Sequence, residues 1–486
     1  MNDTAKRPNI LVFMTDQERL DVTMPGHPCR TPNLERLQRE GLTFTHAFTP
    51  MTHCSPARAS LMTGMYPSKH GVHNNVANDP ALSRTINEEC ETWSEKLRAA
   101  GYDLTYTGKW HVSATRRPGE FGWEEQQINA ARIRPHSDWH GYFSMPRNDT
   151  VPRKRGELVA RGWYRRRLYG TSPKSYEQTN EHVLLDGALE RLRGLASGEK
   201  PWCLFVSMGG PHAPFVIPEK YATMYDPAEI ELPANYKDEM SDRPRLYQRM
   251  QERYSQFSEQ EVREAMAHYY GYCTMLDDML GEALQALDET GQADDTFVLF
   301  VSDHGEFLGS HGLFAKGLPA FDESYRIPCV MRWPNGIRSP GRRIDEFVTL
   351  CDLSPTFTEL AGAEPTADPS GRSLVPFLKG ETPEDWPDAF YNQCNGVEIY
   401  YSQRMVRTKK YKLVYAPSSR DELYDLEKDP YEMNNLIDKP EMQPVVEALF
   451  KKLWTKAEQE RDIIGSCYHT ISLAPVGPAV ALGVGD

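Results

Sequence analysis

No run of this chain comes near the roughly 20 consecutive apolar residues that a bilayer-spanning helix requires, so none of it reads as a membrane anchor. The opening, Met1–Arg7, contains no apolar signal region before the first strand-like segment. The expectation is a soluble cytoplasmic protein, with an export signal already removed as the alternative. The nine cysteines are scattered, without the paired spacings of a zinc knuckle or the density of a small disulfide scaffold. No internal repeat or low-complexity tract stands out. The charge balance, 55 Lys and Arg against 69 Asp and Glu for a net −14, excludes a general nucleic-acid binder.

What is present is an alternation of apolar strand-length runs with helical stretches, which predicts an α/β sheet with flanking helices. Pro8–Thr15, Tyr102–Thr107, Pro201–Ser207 and Thr296–Ser302 read as strands. Thr31–Glu40, Thr92–Ala100, Tyr176–Leu195, Ser258–Leu287 and Leu353–Ala361 read as helices, the first two closed by Gly41 and Gly101 in left-handed caps. By length the chain holds two or three domains. The Pro/Gly/Asp-rich stretch Gly362–Gly380 marks the expected boundary between a main domain, 1–361, and a smaller C-terminal one, 381–486. In the latter, Gln403–Tyr415 alternates like an antiparallel strand, and Glu422–Leu426 leads through Asp429-Pro430 to a helix start at Glu432–Leu436.

Chemistry-bearing residues gather at the ends of these runs. The first strand ends in Asp16-Gln17 and a distant one in Asp303-His304. One such pair is a turn or a helix cap as readily as anything else. Two of them suit a metal site, because ligands of open α/β sheets collect at the carboxyl ends of strands. Cys54 opens a helical segment whose free N–H groups favour an anion, and Arg58 lies one turn further on the same face. The alternative is a buried free thiol before an ordinary helix. Lys109 and His111 follow a strand in Gly108-Lys109-Trp110-His111, where a cation and an imidazole side by side can hold one hydroxyl and deprotonate another.

The run Cys54-Ser55-Pro56-Ala57-Arg58, extended by Leu61-Met62-Thr63-Gly64 and Tyr66-Pro67, resembles the segment in which type I sulfatases convert a cysteine to formylglycine. The resemblance covers nearly the whole chain, weakest in Arg116–Gly170 and after Asp462. It implies an alkaline-phosphatase-like mixed sheet flanked by helices, with a smaller C-terminal α+β subdomain. It also implies hydrolysis of sulfate esters, including sulfated saccharides, by a hydrated aldehyde whose spare hydroxyl later expels sulfate by carbon–oxygen cleavage. The implied metal set is Asp16, Gln17, Cys54, Asp303 and His304. Lys109 and His111 would contact the formylglycine hydroxyls, and Arg58 would orient them. His212, in Pro211-His212-Ala213-Pro214, and Lys316 would serve the leaving oxygen; Lys316 and Asn75 would bind the sulfate, with His311 behind them.

Gln17 and His304 depart from the family's commonest Asp-Asp and Asp-Asn pairs. Gln keeps an oxygen but loses a charge, and His substitutes nitrogen, so the divalent ion is Ca²⁺, Mn²⁺ or Mg²⁺, with Mn²⁺ favoured more than at an all-oxygen site. The implied partner is a formylglycine-generating or anaerobic sulfatase-maturating enzyme; a second copy of the chain is a candidate apart from the resemblance. Phosphonate monoester or phosphodiester hydrolysis by the same nucleophile is the competing activity, and a catalytically silent binding protein is the competing class.

One region runs against the acidic balance. Arg147–Arg167 gathers Arg153, Lys154, Arg155, Arg165, Arg166 and Arg167 with Trp163 and Tyr164, inside an insertion of about residues 116–170. A solvated, salt-bridged insert accounts for such a run as well as a pocket wall that grips carboxylates or further sulfates through arginine forks. Contact between copies is a third reading. Trp139, His140 and Tyr142 are candidates to pack against a sugar ring.

Overall fold

The run Asn9–Asp16 is buried from Ile10 onward and forms β1 inside an eight-stranded sheet, because both of its faces are covered. The computed structural model describes residues 7–78, 81–126, 152–160, 164–396, 399–479 and 483. In chain order there follow β2 (Leu42–Phe48), β3 (Asp103–Gly108), β4 (Glu124–Gln126), the hairpin of β5 (Glu157–Ala160) and β6 (Tyr164–Arg167), β7 (Tyr169–Ser172), β8 (Trp202–Pro211), β9 (Phe215–Pro218), β10 (Thr296–Ser302), β11 (Cys329–Arg332) and β12 (Arg342–Thr349). The large sheet has the order β12-β2-β11-β10-β1-β8-β3-β4. Only β11 runs antiparallel to its neighbours, so the sheet is mixed, as the family resemblance implies.

Successive residues of β1 point to opposite faces and enter two separate cores. Leu11 and Phe13 pack with α1 (Pro32–Glu40), while Ile10, Val12 and Met14 pack with α2 (Cys54–Thr63) and α3 (Trp93–Ala99). The first face also takes α4 (Asn180–Leu195) and α5 (Glu259–Glu289), and the second takes α6 (Leu353–Leu360). The carboxyl ends of β1 and β10, paired in parallel, therefore emerge together from a double-sided core. Among the described residues no helix is long and apolar enough to cross a membrane.

Four sequence expectations are corrected. α4 begins at Asn180 instead of Tyr176, since the Thr179 side chain accepts the His182 N–H and fixes the start there. Gly41 is extended, at φ −145°, and not a left-handed cap. A Cβ there would lie 1.9 Å from the Met331 carbonyl oxygen, so close approach of β11 is what requires glycine. Gly101 does take the left-handed form, at φ +89°. Gln403–Tyr415 is a hairpin of β14 (Gln403–Thr408) and β15 (Tyr411–Tyr415), turned where Thr408 Oγ1 accepts the Tyr411 N–H. Glu432–Leu436 is irregular, and helix α7 runs from Gln443 to Gln459. Asn435 spends its side chain on the N–H of Leu423, lacing this segment along the neighbouring strand.

With β13 (Ala389–Cys394) and β16 (Glu422–Asp425), that hairpin forms a four-stranded antiparallel sheet. Val406, Leu413 and Leu423 pack there against Val446, Phe450 and Trp454 of α7. Asp322, in the connection from β10 to β11, accepts Arg407 at 2.9 Å and Lys412 at 3.0 Å, and Lys412 also pairs with Glu432. Lys412 is fully buried, so deleting one partner of this network would strand a charge at a cost of about 3–5 kcal/mol. The network anchors the same connection that carries Lys316.

Candidate active site

Asp16 ends β1 and Asp303 follows β10, and the parallel pairing of those strands sets the two carboxylates beside each other. Cys54 is the first residue of α2, with His53 as its N-cap. Its Sγ lies 3.3 Å from His304 Nε2, 3.6 Å from Lys316 Nζ and 3.9 Å from Asp16 Oδ1. One ligand atom from each of Asp16, Cys54, Asp303 and His304 falls within 4.8 Å of the others, and all four residues are buried. His304 Nδ1 is 3.0 Å from the Gly305 carbonyl, to which it donates, leaving Nε2 as the free lone pair that a metal requires. The donor set therefore fits a divalent cation.

Cations surround that set. Arg58 is 1% exposed and gives Nε to Asp303 at 2.8 Å and Nη2 to Asp16 at 3.0 Å. Its Nη1 reaches the Lys109 carbonyl at 2.8 Å and Ser207 Oγ at 2.7 Å. The arginine that the sequence assigns to orienting the nucleophile thus braces both carboxylates and the Lys109 backbone. Lys109 Nζ contacts Asp16, and Lys316 Nζ contacts Gln17 Oε1 at 2.6 Å. Gly108 is required for this arrangement. It sits at φ +96°, and a Cβ there would lie 1.9 Å from the Ser207 carbonyl oxygen.

The electrostatics follow from these contacts. Burial pushes the Asp16 carboxyl up, but Lys109, His212, Arg58 and Lys316 outweigh it and hold the group well below the usual range. Burial and Asp16 raise the Cys54 thiol, yet Lys109, Lys316 and His304 hold it well down. Position 54 is accordingly a place where negative charge is stabilised. Burial and Lys316 press His212 down to about 3. Its Nδ1 lies 2.7 Å from the Ala213 carbonyl and donates to it, so the neutral ring offers Nε2 as an acceptor. His111 is lowered by burial against the pull of Cys54, and its buried Nδ1 has no hydrogen-bond partner. The ring thus neighbours Cys54 electrostatically and keeps one buried nitrogen unsatisfied.

Several of the remaining candidates are held by contacts of their own. Asn75 Oδ1 accepts the Ser55 N–H at 3.1 Å, so its oxygen holds the start of α2. His311 is bonded to Asp238 at 2.8 Å and Asn235 at 2.9 Å and stacks on Phe321 at 3.6 Å. Trp139, His140, Tyr142, Arg147 and Trp163 lie outside the described residues. Arg153 forks onto Glu261 with two contacts of 2.7 Å, and Arg155 pairs with Glu264, both carboxylates belonging to α5. Arg165 contacts Glu157 at 3.1 Å, whereas Arg166 and Arg167 have no ion pair among the described residues. Sequence reasoning missed Ser207 and Glu306. Glu306, three residues after Asp303, carried a local signal as a further acid beyond the strand end.

The Arg153–Glu261 pair permits a stability prediction. Burial raises the Glu261 carboxyl, but Arg153 and the N–H groups of Ser258 and Gly156 hold it down at about 2. Its stabilising contribution is thus complete above about pH 4.5 and is lost as pH falls toward 2. Arg153→Ala is expected to cost about 1–2 kcal/mol at neutral pH, read by thermal melting, with the difference from wild type shrinking in acid. A constant difference across that range would contradict the pairing.

The sheet delivers two carboxylates, an imidazole and a helix-borne cysteine to one edge, ringed by cations, an arrangement suited to an anionic ligand. The chain belongs to the sulfatase family, the sulfuric ester hydrolases: the sulfatase profile matches residues 8–363, and that of the N-sulphoglucosamine sulphohydrolase C-terminal region matches 309–459. It is 30% identical to the multifunctional alkaline phosphatase superfamily protein PehA of Trinickia caryophylli, over 94% of this chain and 97% of that one. It is also 30% identical to the choline-sulfatase of Rhizobium meliloti, over 90% and 84%. The crystal structure of the phosphonate monoester hydrolase of Agrobacterium radiobacter superposes with a TM-score of 0.76 at 27% identity, covering 93% of this chain and 96% of that one. The fold is alkaline-phosphatase-like, as the sequence resemblance implies.

Proposed function

We propose that this protein hydrolyses sulfate monoesters through a formylglycine made from Cys54, with one divalent cation held by Asp16, Gln17, Asp303 and His304. The observation that carries this reading is the position of Cys54 Sγ, within 4 Å of a metal-competent imidazole, a lysine and an aspartate at a helix N-terminus. The cation, Ca²⁺, Mn²⁺ or Mg²⁺, would supply Lewis-acid stabilisation of anionic oxygens. The hydrated aldehyde would supply the attacking hydroxyl and a second hydroxyl for release of sulfate. Maturation requires a formylglycine-generating or anaerobic sulfatase-maturating partner.

The protein's own side chains then divide the work. With the divalent cation bound, Arg58, Lys109 and Lys316 would leave the centre net positive against Asp16, Asp303 and Glu306 and favour a bound anion. Lys109 holds one oxygen at position 54, and the His111 imidazole takes a proton from the other. His212 and Lys316 serve the leaving oxygen, where charge develops as the ester bond breaks. The pressure on His212 toward neutrality relaxes when an anion enters beside it, which readies the ring to carry a proton.

The N-sulphoglucosamine sulphohydrolase match in the C-terminal region supports a sulfated saccharide as substrate. Among the described residues of the basic insertion, Arg166, Arg167 and Lys154 carry no ion pair, and the two arginines are the ones with a fork to offer it. Neutralising both is expected to raise KM for a multiply sulfated saccharide several-fold and leave a small aryl sulfate unchanged, because contacts remote from the reacting bond contribute uniform binding. Steady-state kinetics on both substrates would show it, and equal changes for the two would return these arginines to the solvated surface.

The likeness to a phosphonate monoester hydrolase favours a second reading, in which the same nucleophile attacks phosphorus. Sulfate and phosphonate esters with the same aryl leaving group separate the two. A sulfatase should show kcat/KM at least about tenfold higher on the sulfate ester, a difference of about 1.4 kcal/mol in transition-state binding. The reverse order would assign the protein to phosphonate chemistry.

A further inference from the structure

Gln17 is held more firmly than a simple ligand needs to be. Its backbone sits at φ +68°, in the left-handed region that a non-glycine residue seldom adopts. Its N–H donates to Asp303 Oδ1 at 3.1 Å, and its carbonyl accepts the Tyr269 hydroxyl at 2.8 Å. The side-chain amide is gripped at both ends: Nε2 donates to Glu306 Oε2, and Oε1 accepts Lys316 Nζ at 2.6 Å. Glu306 is fully buried, and its other oxygen, Oε1, accepts the N–H groups of Leu308, at 3.0 Å, and Ala315.

The chemistry of these partners fixes which way the amide points. Oxygen and nitrogen of a glutamine are ordinarily hard to tell apart. Here a lysine ammonium can only donate, and a carboxylate that already accepts the Leu308 and Ala315 N–H groups is an acceptor. The amide nitrogen must therefore face Glu306 and the amide oxygen must face Lys316 and the centre.

We propose that Glu306 is the positioning residue that sets the polarity of Gln17, turning its oxygen toward the cation site and supplying from behind the negative charge that Gln17 itself lacks. This rests on the metal-binding reading given above. Glu306 touches no reacting atom and acts only through the Gln17 amide. Substituting an amide at position 306 forces a conflict, since its single oxygen cannot accept Leu308, Ala315 and Gln17 together. The conflict is relieved when the Gln17 amide turns over, which presents N–H₂ instead of oxygen to the cation.

Reversing the pair restores complementarity. In Q17E/E306Q the new amide oxygen still accepts Leu308 and Ala315, while its N–H₂ donates to the new carboxylate, whose second oxygen faces the centre. Calorimetric titration of the metal-stripped full chain with Ca²⁺ and with Mn²⁺ reads this directly. E306Q is expected to weaken both ions by about 10–100-fold, the usual consequence of losing an outer partner of a metal ligand. Q17E/E306Q should recover affinity to within a few-fold of wild type.

Equal affinity in E306Q and wild type, or a double variant no better than E306Q, would overturn the assignment. Wild type that binds neither ion would overturn the metal reading together with it. Thermal melting without metal runs alongside, because a merely structural role for Glu306 predicts lost stability that Q17E does not repair. Gln17→Met leaves the two backbone contacts of Glu306 intact and covers the case in which E306Q fails to fold. It too should lose about 10–100-fold in affinity, and unchanged binding there would contradict the assignment.

Discussion

Cys54→Ala is expected to lower sulfate-ester turnover by at least about 10⁴-fold, the scale on which removal of a covalent nucleophile acts. The effect follows from the place of Sγ in the centre, at the start of α2 and between His304 and Lys316. The substitution removes one small buried side chain and leaves the Arg58 contacts to Asp16, Asp303, Lys109 and Ser207 in place, so melting temperature should change little, while metal affinity falls by the loss of one donor and is restored by saturating metal. Substantial turnover by a folded, metal-replete Cys54→Ala protein would falsify the mechanism. Arg58→Ala is a poorer test, because that residue belongs both to the segment read during maturation and to the brace under the carboxylates.

Asp303→Ala is expected to lose the bound cation and, with it, at least about 10³-fold in activity. Asp303 accepts Arg58 Nε at 2.8 Å and the Gln17 N–H at 3.1 Å, so the variant also leaves a buried guanidinium and a backbone donor unpaired. A stability loss of about 3–5 kcal/mol accompanies the loss of activity. Asp303→Asn separates the two effects, since an amide oxygen still accepts one of those donors while carrying no charge. Elemental analysis of both variants is the check, along with activity after chelation and metal return to the wild type. Stoichiometric metal in a protein lacking both Asp16 and Asp303 would show that the ion sits elsewhere.

The sequence is legible where the determinants are local. A strand-length apolar run ending in an acid states both an element and where its ligand will stand, and β1 and β10 form over nearly the residues read for them. The helical stretch read over Ser258–Leu287 forms as α5, with Ser258 as its N-cap. What is not legible depends on distant partners. Gly41 looks like a helix stop, yet it is needed because β11 passes against it. The alternation in Gln403–Tyr415 carries no mark of the reversal after Thr408.

The same division holds at the centre. The residues expected at the metal are brought together, but their support comes from pairings that no spacing discloses. Arg58 spans Asp16 and Asp303, which are 287 residues apart. Arg153 and Arg155 appear in the sequence as free positive charge and are committed to two glutamates of α5. Glu306 acts on Gln17 only because the chain turns left-handed at Gln17 and the 303–316 loop folds back over it.

The central claim is that the nucleophile is an aldehyde made from Cys54, and peptide mass spectrometry of active protein tests it most directly. The protein should be co-produced with a sulfatase-maturating enzyme and assayed for sulfate release before digestion. The peptide spanning position 54 should have lost its sulfur and carry an aldehyde that reacts with a hydrazine probe, and specific activity should rise in proportion to the converted fraction. Full activity in a preparation whose residue 54 is entirely thiol would contradict it.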